Sequence, residues 1–365
     1  MKITLIAGAR PNFMKIAPII HAIKQRQAEG HKIAYRLVHT GQHYDEKMSH
    51  AFFVELNIPQ PDVNLECGGG TQAEQTANIM VKFEQELLQH PTDLVLVVGD
   101  VTSTMACAIV AQKLHTKVAH VEGGIRSGDW TMPEEINRLV TDSITNYFFT
   151  TSDVANNNLK AAGVKDEQIF FVGNTMIDTL LTQMPRFSAP EIYNTANLSE
   201  KNYLVLTLHR PANVDSPVQL SKLITEILNN SGNIPIIFPV HPRTQKTLAA
   251  ANIHSPNLHL VDPLSYLQFN YLVKNSKAVI TDSGGITEET TVMGVPCMTL
   301  RNTTERPETC TIGTNELIGT NPEAIAPALE KLMKGEWKKG NIPPLWDGKT
   351  AFRIADALLA LSLNN

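Results

Sequence analysis

Short apolar runs alternate with longer amphipathic runs along most of the chain. The apolar runs are rich in β-branched residues and are typical of strands buried on both faces of a parallel sheet. The predicted strands are residues 3–7, 36–40, 94–98, 118–121, 147–150, 169–172, 203–208, 234–240, 258–261, 278–281, 296–300 and 316–318. Runs with helical periodicity lie between them, such as 13–25, 72–88 and 102–114. This alternation predicts an α/β fold with doubly wound parallel sheets.

The alternation is interrupted once, over residues 181–201, where Pro, Ser, Asn and Thr replace the apolar pattern. Such a composition is typical of a linker. We therefore predict a Rossmann-like domain over 1–180, a linker over 181–201, a second Rossmann-like domain over 202–349 and a final helix within 350–365. Two such domains are expected to leave a cleft between them.

Composition excludes several classes of partner. The 365 residues are 42% hydrophobic and 18% charged, and the net charge of −5 comes without a basic run, so nucleic acid and anionic membrane surfaces are not expected partners. No apolar run approaches the ~20 residues of a membrane span, and the opening run ends at Arg10-Pro11, which favours a buried strand over a signal peptide. The cysteines form no C-x-x-C pair, which speaks against a zinc site and is compatible with a reducing cytoplasm. They are Cys67, Cys107, Cys297 and Cys310.

Polar residues follow almost every predicted strand. In open α/β sheets ligands bind beyond the carboxyl ends of the strands, so these residues predict a polar ligand site. They include Arg10 with Lys15, His39 to His43, Gly99-Asp100, Glu122-Gly123-Gly124, His209-Arg210, His241-Pro242-Arg243 and Asp282 to Gly285. A solvated loop arginine is the alternative for Arg10, whose guanidinium otherwise suits a phosphate.

A glycine turn follows the strand at residues 278–281. Gly284 and Gly285 allow close approach of a ligand, and the helix that starts there offers unpaired N–H groups and a favourable dipole to a phosphate or diphosphate. The alternative is that Asp282 and Ser283 only cap the helix. No G-x-x-x-x-G-K-[ST] loop and no strand running into G-x-G-x-x-G is present, so neither ATP hydrolysis nor bound NAD is indicated.

Several acids and histidines have both a structural and a chemical interpretation. Asp100 could cap the helix that follows it, whereas an unpaired Glu122 at the end of a buried strand would be costly and so needs a partner or a role. Pro133 is placed at a first helical position, and the helix dipole alone explains the acids after it, Glu134 and Glu135, of which at most one is expected to face the cleft. His209 and His241 follow strands without metal-ligand spacing, which favours hydrogen bonding to phosphate over metal binding.

The chain contains a series of polar motifs in a fixed order: Gly8-Ala9-Arg10-Pro11 with Lys15, Gly99-Asp100, 120-HVEGGIRSGD-129, 133-PEEINR-138, 172-VGNTMID-178, His209-Arg210, 239-PVHPR-243, 281-TDSGGITEE-289 and 303-TTERPE-308. Taken together, these motifs resemble the non-hydrolysing UDP-N-acetylglucosamine 2-epimerases over nearly the whole chain. The resemblance implies a glycosyltransferase-B fold, a homodimer and a last helix that crosses back to the first domain. It also implies interconversion of UDP-GlcNAc and UDP-ManNAc for bacterial surface polysaccharide, without a metal or an external cofactor.

The resemblance also implies roles for individual residues. Asp100, Glu122 and Glu134 would be the acid–base carboxylates, with the identity of the base left open, and His209 would assist at the departing phosphate. The residues implied to bind UDP, with the strand-end His241 included among them, are Arg10, Lys15, His241, Ser283, Gly284, Gly285, Glu289 and Arg306.

Four rival functions differ in what they require of the sequence. Hydrolysing relatives usually carry arginine after the Gly-Asp pair, where this chain has Val101. Relatives acting on UDP-2,3-diacetamido sugars share much of the pattern but lack the Arg306-Pro307 pair found here. A glycosyltransferase of the same fold would not need three carboxylates from one domain, and a non-catalytic nucleotide-sugar sensor would tolerate their loss.

Overall fold

The computed structural model describes residues 1–42, 53, 55, 57–240, 242–251 and 253–363. The chain divides into two compact units. Unit 1 comprises Met1–Thr182 together with Pro344–Asn365, and unit 2 comprises Gln183–Pro343. Each unit is described separately below.

Unit 1 is built on a seven-stranded parallel sheet within the described residues, in the order β3-β2-β1-β4-β5-β6-β7. Its strands are Lys2–Ala7 (β1), Ala34–His39 (β2), Val63–Asn64 (β3), Leu94–Val98 (β4), Lys117–Val121 (β5), Tyr147–Thr150 (β6) and Ile169–Phe171 (β7). Its helices before the boundary are Arg10–Ala28 (α1), Gln72–Gln89 (α2), Thr102–Lys113 (α3), Pro133–Ser143 (α4), Asp153–Ala161 (α5) and Thr175–Gln183 (α6). Phe83 and Val110 from the helices pack with Val95 and Val97 of the sheet in one core cluster.

Unit 2 repeats this architecture with six parallel strands among its described residues, in the order β10-β9-β8-β11-β12-β13. The strands are Leu204–Thr207 (β8), Ile236–Pro239 (β9), Leu258–Val261 (β10), Ala278–Thr281 (β11), Cys297–Thr299 (β12) and Asn315–Leu317 (β13). The helices are Glu191–Thr195 (α7), Pro211–Val214 (α8), Pro217–Asn230 (α9), Pro242–Ala251 (α10), Tyr266–Asn275 (α11), Gly284–Met293 (α12), Pro307–Thr311 (α13) and Ile325–Met333 (α14). Leu206, Phe238 and Ile280 of the sheet are buried in one cluster with Leu220 and Ile224 of α9.

Both sheets confirm the predicted doubly wound α/β class. In unit 1 the strand order reverses between β1 and β4, and in unit 2 it reverses between β8 and β11. At such a switch point the helices that follow the two strands leave on opposite faces of the sheet and open a crevice at the carboxyl ends. Asp100, His209 and Ser283 lie in the loops that follow β4, β8 and β11, and Arg10 begins the helix that follows β1.

The last helix, Thr350–Leu363 (α15), belongs to unit 1 and is fastened there at its first turn. The carboxylate of Asp178 accepts hydrogen bonds from the backbone N–H groups of Thr350 at 3.1 Å and Ala351 at 2.7 Å. Just before the helix, the Trp346 indole donates to the carbonyl oxygen of Thr151 at 3.0 Å. A carboxylate at a helix N-terminus satisfies donors that the helix itself leaves unpaired.

Two features differ from the sequence analysis. Residues 183–201, predicted as linker, group with unit 2 and contain α7, because Ile192 and Tyr193 pack against the core cluster that contains Tyr203. The two-residue strand β3 was not predicted, since so short a run has no periodicity to detect. None of the helices in the described part of the chain is long and apolar enough to cross a membrane.

Candidate active site

The loop after β1 is fastened to the end of β4 by one side chain. Oδ1 of Asn12 accepts hydrogen bonds from the backbone N–H groups of Gly8 at 3.1 Å and Ala9 at 2.9 Å. Its amide nitrogen donates to the carbonyl oxygen of Val98 at 2.9 Å. Asn12 therefore fixes the spacing of the two loops at the switch point of unit 1.

Lys15 and Glu122 form a buried ion pair at this edge of the sheet. Nζ lies 2.8 Å from Oε2, and the side chains are 12% and 3% exposed. Glu122 has a backbone φ of 72°, a left-handed conformation that costs a non-glycine residue on the order of 1 kcal/mol. A Cβ built at Gly99 would lie 3.3 Å from Nζ of Lys15, so the glycine leaves room for the pair. The pairing supplies the partner that the sequence required for a buried Glu122.

Asp100 lies on the loop directly after Gly99. Its side chain is 34% exposed, and Oδ2 accepts a hydrogen bond from Nε of Arg138 at 3.2 Å. Asn137 donates to the carbonyl oxygen of Asp100 at 2.8 Å. Helix α3 has Val101 as its N-cap and no side-chain capping bond, so Asp100 does not act as the cap. Helix α4 holds Asp100 and leaves part of its carboxylate accessible.

The first turn of α4 carries two adjacent acids in different environments. Glu135 is buried and accepts hydrogen bonds from the backbone N–H groups of Ser127 at 3.0 Å and Gly128 at 2.9 Å. Burial opposes its ionisation, but these two donors and the charge of Arg138 outweigh burial and lower the pKa of Glu135. Glu134 is only partly buried. Glu135 therefore anchors the 126–128 loop, and Glu134 is the more accessible acid.

His120 and Asp142 form a second buried pair in unit 1. Nδ1 of His120 lies 2.7 Å from Oδ1 of Asp142, and Nε2 lies 2.7 Å from the carbonyl oxygen of Gly99. Oδ2 of Asp142 accepts hydrogen bonds from the Gly124 N–H at 3.0 Å and from Arg126 at 2.6 Å. Burial opposes ionisation of Asp142, but the bonds from His120 and Arg126 outweigh it, so the pKa of Asp142 is lowered. Both ring nitrogens of His120 are therefore engaged.

In unit 2 the carboxylate of Asp282 organises the loop after β8. It accepts hydrogen bonds from the backbone N–H groups of His209 at 3.1 Å and Arg210 at 3.0 Å, and from the amide of Asn213 at 3.0 Å. Its Oδ1 also lies 2.8 Å from Nδ1 of His209. The sequence analysis placed Asp282 at the predicted ligand site, with a helix cap as the alternative, but did not predict that it pairs with His209.

Helix α12 begins at Gly284 with an uncapped first turn. Ser283 is the N-cap residue but makes no side-chain capping bond. No described atom lies within 4 Å of a Cβ built at Gly285, whereas a Cβ at Gly284 would lie 2.6 Å from Oε1 of Glu305. The first-turn N–H groups and the dipole favour an anion here. The structure therefore does not support the alternative in which Ser283 serves only to cap the helix.

Two arginines lie near this helix start. Arg301 makes two hydrogen bonds to the carboxylate of Glu305, at 2.6 and 3.2 Å, and Nη2 of Arg210 lies 3.9 Å from the same carboxylate. Burial opposes ionisation of Glu305, but Arg301 outweighs it and lowers the pKa of Glu305 to about 2. Glu305 therefore stays ionised and holds both guanidinium groups in place.

Glu289 and Arg306, both predicted to bind UDP, are buried in unit 2. The Tyr266 hydroxyl donates to Glu289 at 2.8 Å, and Nε of Arg306 lies 2.5 Å from Glu288. Burial raises the pKa of Glu289 to about 7, with Glu288 adding to the shift and Tyr266 opposing it. His241 and the side chain of Arg10 lie outside the described residues, so their predicted contacts stay predictions.

A cavity of about 480 Å³ lies beside the carboxyl ends of β9 and β10 in unit 2. Val240, Val261 and Leu264 line it together with Gln245 and Gln268. This volume is within the range of small-molecule sites, and the lining also includes the acidic residues Glu191 and Asp262.

The sequence analysis assigned no role to His120 or Arg138. His120 could have been found as a polar residue inside an otherwise apolar strand, since such a residue needs a buried partner. For Arg138, the i,i+3 spacing from Glu135 on α4 could have indicated that ion pair, whereas its contact with Asp100, 38 residues away in the chain, has no such signal.

Two doubly wound sheets with polar residues at their switch points place the protein in the Rossmann-like class of α/β proteins. Within that class, a sequence model of the family UDP-N-acetylglucosamine 2-epimerase matches residues 25–359. The chain belongs to this family.

Individual relatives match over nearly the full length. A UDP-N-acetylglucosamine 2-epimerase of Methanocaldococcus jannaschii is 40% identical over 371 residues, covering 98% of this chain and 99% of the relative. A Pseudomonas aeruginosa UDP-2,3-diacetamido-2,3-dideoxy-D-glucuronate 2-epimerase is 36% identical over 364 residues, covering 99% of this chain and 100% of the relative. The crystal structure of the M. jannaschii enzyme in complex with UDP-GlcNAc and UDP has a TM-score of 0.86 at 40% identity and covers 99% of this chain and 100% of that one.

Proposed function

We propose that this protein interconverts UDP-GlcNAc and UDP-ManNAc without a metal or an external cofactor. The observation that carries the proposal is the match to a UDP-N-acetylglucosamine 2-epimerase over 98% of the chain. It is supported by the presence of a carboxylate at each of the three positions that the family resemblance implies for proton transfer, Asp100, Glu122 and Glu134.

The reaction requires elimination and re-addition of UDP. The hydrogen on carbon 2 of the sugar has no adjacent carbonyl, so simple deprotonation is unfavourable. A base removes this proton while the bond between carbon 1 and the UDP oxygen breaks, and the product is 2-acetamidoglucal with UDP. Protonation of carbon 2 from the opposite face, with UDP re-forming its bond to carbon 1, gives the epimer. Two proton-transfer groups and a cationic diphosphate site are therefore needed.

We assign the proton transfers to Asp100, Glu122 and Glu134, within a first domain over residues 1–180. The partly exposed carboxylate of Asp100 and the partly buried Glu134 are accessible to a ligand. Glu122 is buried and ion-paired with Lys15, which keeps its carboxylate in one place. A fixed carboxylate lowers the reorganisation that a proton transfer requires.

We assign UDP binding mainly to the second domain, residues 202–349. The uncapped N-terminus of α12 at Ser283, Gly284 and Gly285 suits a phosphate, and His209 would stabilise the charge on the departing group. The other assigned residues are Arg10, Lys15, His241, Glu289 and Arg306.

A second substrate is favoured by one specific observation. The P. aeruginosa relative is named for a UDP-2,3-diacetamido glucuronate, and it is 36% identical over 99% of this chain. The second candidate function is therefore 2-epimerisation of a UDP-2,3-diacetamido sugar by the same elimination chemistry.

We also propose a cytoplasmic homodimer that supplies ManNAc units for bacterial surface polysaccharide. Val81 and Leu88 are 56% and 62% exposed and lie seven residues apart on α2, which places two large apolar side chains on one face of the helix. A second copy of the chain would cover them. Light scattering after size exclusion should give twice the 40.2 kDa chain mass.

Incubation with UDP-GlcNAc alone in heavy water tests the proposed reaction. Epimerisation gives UDP-ManNAc with deuterium at carbon 2 and little free sugar. Accumulation of free ManNAc would identify a hydrolase, and absence of turnover until an acceptor is added would identify a transferase. A parallel reaction with a UDP-2,3-diacetamido sugar separates the two epimerase substrates.

Glu122→Gln should abolish this exchange while UDP affinity stays within about tenfold of wild type, or about 1.4 kcal/mol. Glu84→Gln, at an exposed position of α2, is the matched control and should leave turnover unchanged. Loss of UDP binding in Glu122→Gln, measured by calorimetry, would contradict a role confined to proton transfer.

A further inference from the structure

We propose that Asp282 is a positioning residue that fixes His209 in the tautomer with its proton on Nδ1 and with Nε2 directed away from the carboxylate. This inference rests on the proposed function, in which His209 acts at the departing phosphate. It concerns a contact made wholly within unit 2.

Asp282 is held rigidly where β11 ends. Its side chain is fully buried, and both carboxylate oxygens are engaged by described donors. Oδ2 accepts hydrogen bonds from the N–H of Arg210 at 3.0 Å, from the N–H of His209 at 3.2 Å and from Nδ2 of Asn213 at 3.0 Å. Oδ1 accepts from the N–H of His209 at 3.1 Å and lies 2.8 Å from its ring Nδ1. The carboxylate therefore cannot rotate without losing several bonds.

These donors also keep Asp282 ionised. Burial alone would favour the protonated acid, but the bonds from His209, Asn213 and the Arg210 N–H outweigh it and lower the pKa of Asp282. An ionised carboxylate only accepts hydrogen bonds. The ring nitrogen facing it must therefore be the donor, so Nδ1 of His209 carries a proton.

The other ring nitrogen is then the one available for chemistry. The His209 side chain is 58% exposed although its backbone N–H is bound to a buried carboxylate. With Nδ1–H fixed, Nε2 carries either a lone pair or the second proton. Nε2 can therefore gain and lose a proton while Nδ1–H stays bound to Asp282, and in its protonated form it can donate a hydrogen bond to a departing phosphate oxygen.

Asp282→Asn should reverse this arrangement. Three donors converge on Oδ2, so the single oxygen of asparagine is expected to take that position. The amide NH₂ then occupies the Oδ1 position and faces Nδ1 of His209. Because the NH₂ group donates, Nδ1 must become the acceptor and the proton moves to Nε2. As long as Nδ1 accepts from the amide, Nε2 keeps its proton, so the ring can no longer gain and lose a proton at Nε2, which is what a positioned histidine does in acid–base catalysis.

The test combines ring spectroscopy with kinetics on the full chain. In ¹⁵N-histidine-labelled protein, with the His209 signals assigned by their absence in His209→Asn, long-range ¹H–¹⁵N spectra of the neutral ring should show Nδ1–H in wild type and Nε2–H in Asp282→Asn. The same variant should lower kcat by about 100-fold or more, with KM for UDP-GlcNAc within about threefold.

Asp166→Asn is the matched control, because it makes the same substitution at a carboxylate of unit 1 that is 77% exposed. It should retain the Nδ1–H tautomer of His209 and the wild-type kcat. A wild-type neutral ring with Nε2–H, an unchanged kcat in Asp282→Asn, or an equal loss of kcat in Asp166→Asn would each overturn the inference. If wild type fails to turn over UDP-GlcNAc, the proposed function falls, and the ring spectra still decide whether Asp282 sets the tautomer.

Discussion

Each unit contains a histidine paired with a buried aspartate, and the two pairs differ at the second ring nitrogen. In the closed pair, His120–Asp142 of unit 1, Nδ1 lies 2.7 Å from the carboxylate and Nε2 lies 2.7 Å from the Gly99 carbonyl oxygen. In the open pair, His209–Asp282 of unit 2, the corresponding Nδ1 distance is 2.8 Å, but the ring is 58% exposed.

The difference shows that a His–Asp contact does not by itself define a catalytic group. His120 lies within β5, where the neighbouring strand β4 ends in a carbonyl group that engages its second nitrogen. Proton exchange at that nitrogen would break a buried hydrogen bond. His209 lies beyond the end of β8, and its side chain is 58% exposed. The closed pair therefore stabilises the loop before Asp100, and the open pair can act on a ligand.

The largest expected effect comes from breaking the open pair. His209→Asn should lower kcat by roughly 10²–10⁴-fold, because it removes a positioned proton-transfer group. The free energy of unfolding should change by less than about 2 kcal/mol, because the ring is 58% exposed and buried Asp282 keeps three other donors, the N–H groups of residues 209 and 210 and the Asn213 amide. Single-turnover kinetics and urea unfolding measure the two quantities. A loss of stability as large as the loss of activity would make the open pair another structural contact.

Breaking the closed pair should have the opposite result, with a large loss of stability. Asp142→Asn leaves buried His120 and the Arg126 guanidinium without their carboxylate, and removal of one partner of a buried pair costs about 3–5 kcal/mol. Urea unfolding checks this. Asp166→Asn, at an ion pair whose carboxylate is 77% exposed, is the control and should change stability by less than about 1 kcal/mol. Equal effects of the two substitutions would show that the buried pair contributes no more to stability than an exposed ion pair.

The pH dependence of this destabilisation follows from the lowered pKa of folded Asp142. Its ordinary value in the unfolded chain is about 3.9, so the unfolded state binds more protons as the pH falls past that value. The contribution from Asp142 ionisation is therefore fully present above about pH 4 and is lost as the pH falls through the folded pKa. The stability difference between wild type and Asp142→Asn should shrink below pH 4 and stay level from pH 5 to 8 if this ionisation dominates it.

The sequence predicted both sheets and the edges at which the candidate residues lie, because strand length and apolar periodicity are local signals. It also placed Pro133 at the first position of α4, as the structure confirms. It did not predict which side chains pair with one another. Asp282 meets His209 only because β8 and β11 are neighbours in the sheet, although 73 residues separate them in the chain.

The same limit explains why Glu134 and Glu135 could not be distinguished from the sequence. Their spacing shows only that they point in different directions on a helix. Which one is buried depends on the N–H groups of Ser127 and Gly128, which a loop brings to Glu135. Long-range hydrogen bonds of this kind have no periodic pattern in the sequence.

The smallest expected effects come from replacing one glycine at each switch point. Gly99, whose carbonyl accepts the bond from His120, has a φ of 69°, and a Cβ there would lie 3.3 Å from Nζ of Lys15. Gly99→Ala should therefore lower the free energy of unfolding by about 1–2 kcal/mol, most of it from the left-handed backbone. Thermal and urea unfolding measure it. An unchanged stability would show that the loop relaxes without cost.

Gly285, in the first turn of α12, has no such constraint. Its φ is not positive, and a Cβ there meets no described atom within 4 Å, so Gly285→Ala should leave stability unchanged or raise it by up to about 1 kcal/mol. If the turn holds a phosphate, the added methyl group obstructs close approach of the ligand and UDP affinity should fall about tenfold, or about 1.4 kcal/mol. Calorimetric titration with UDP measures this. Unchanged UDP affinity would mean that the two glycines of this turn serve only to begin the helix, and the diphosphate site would then have to be sought elsewhere in unit 2.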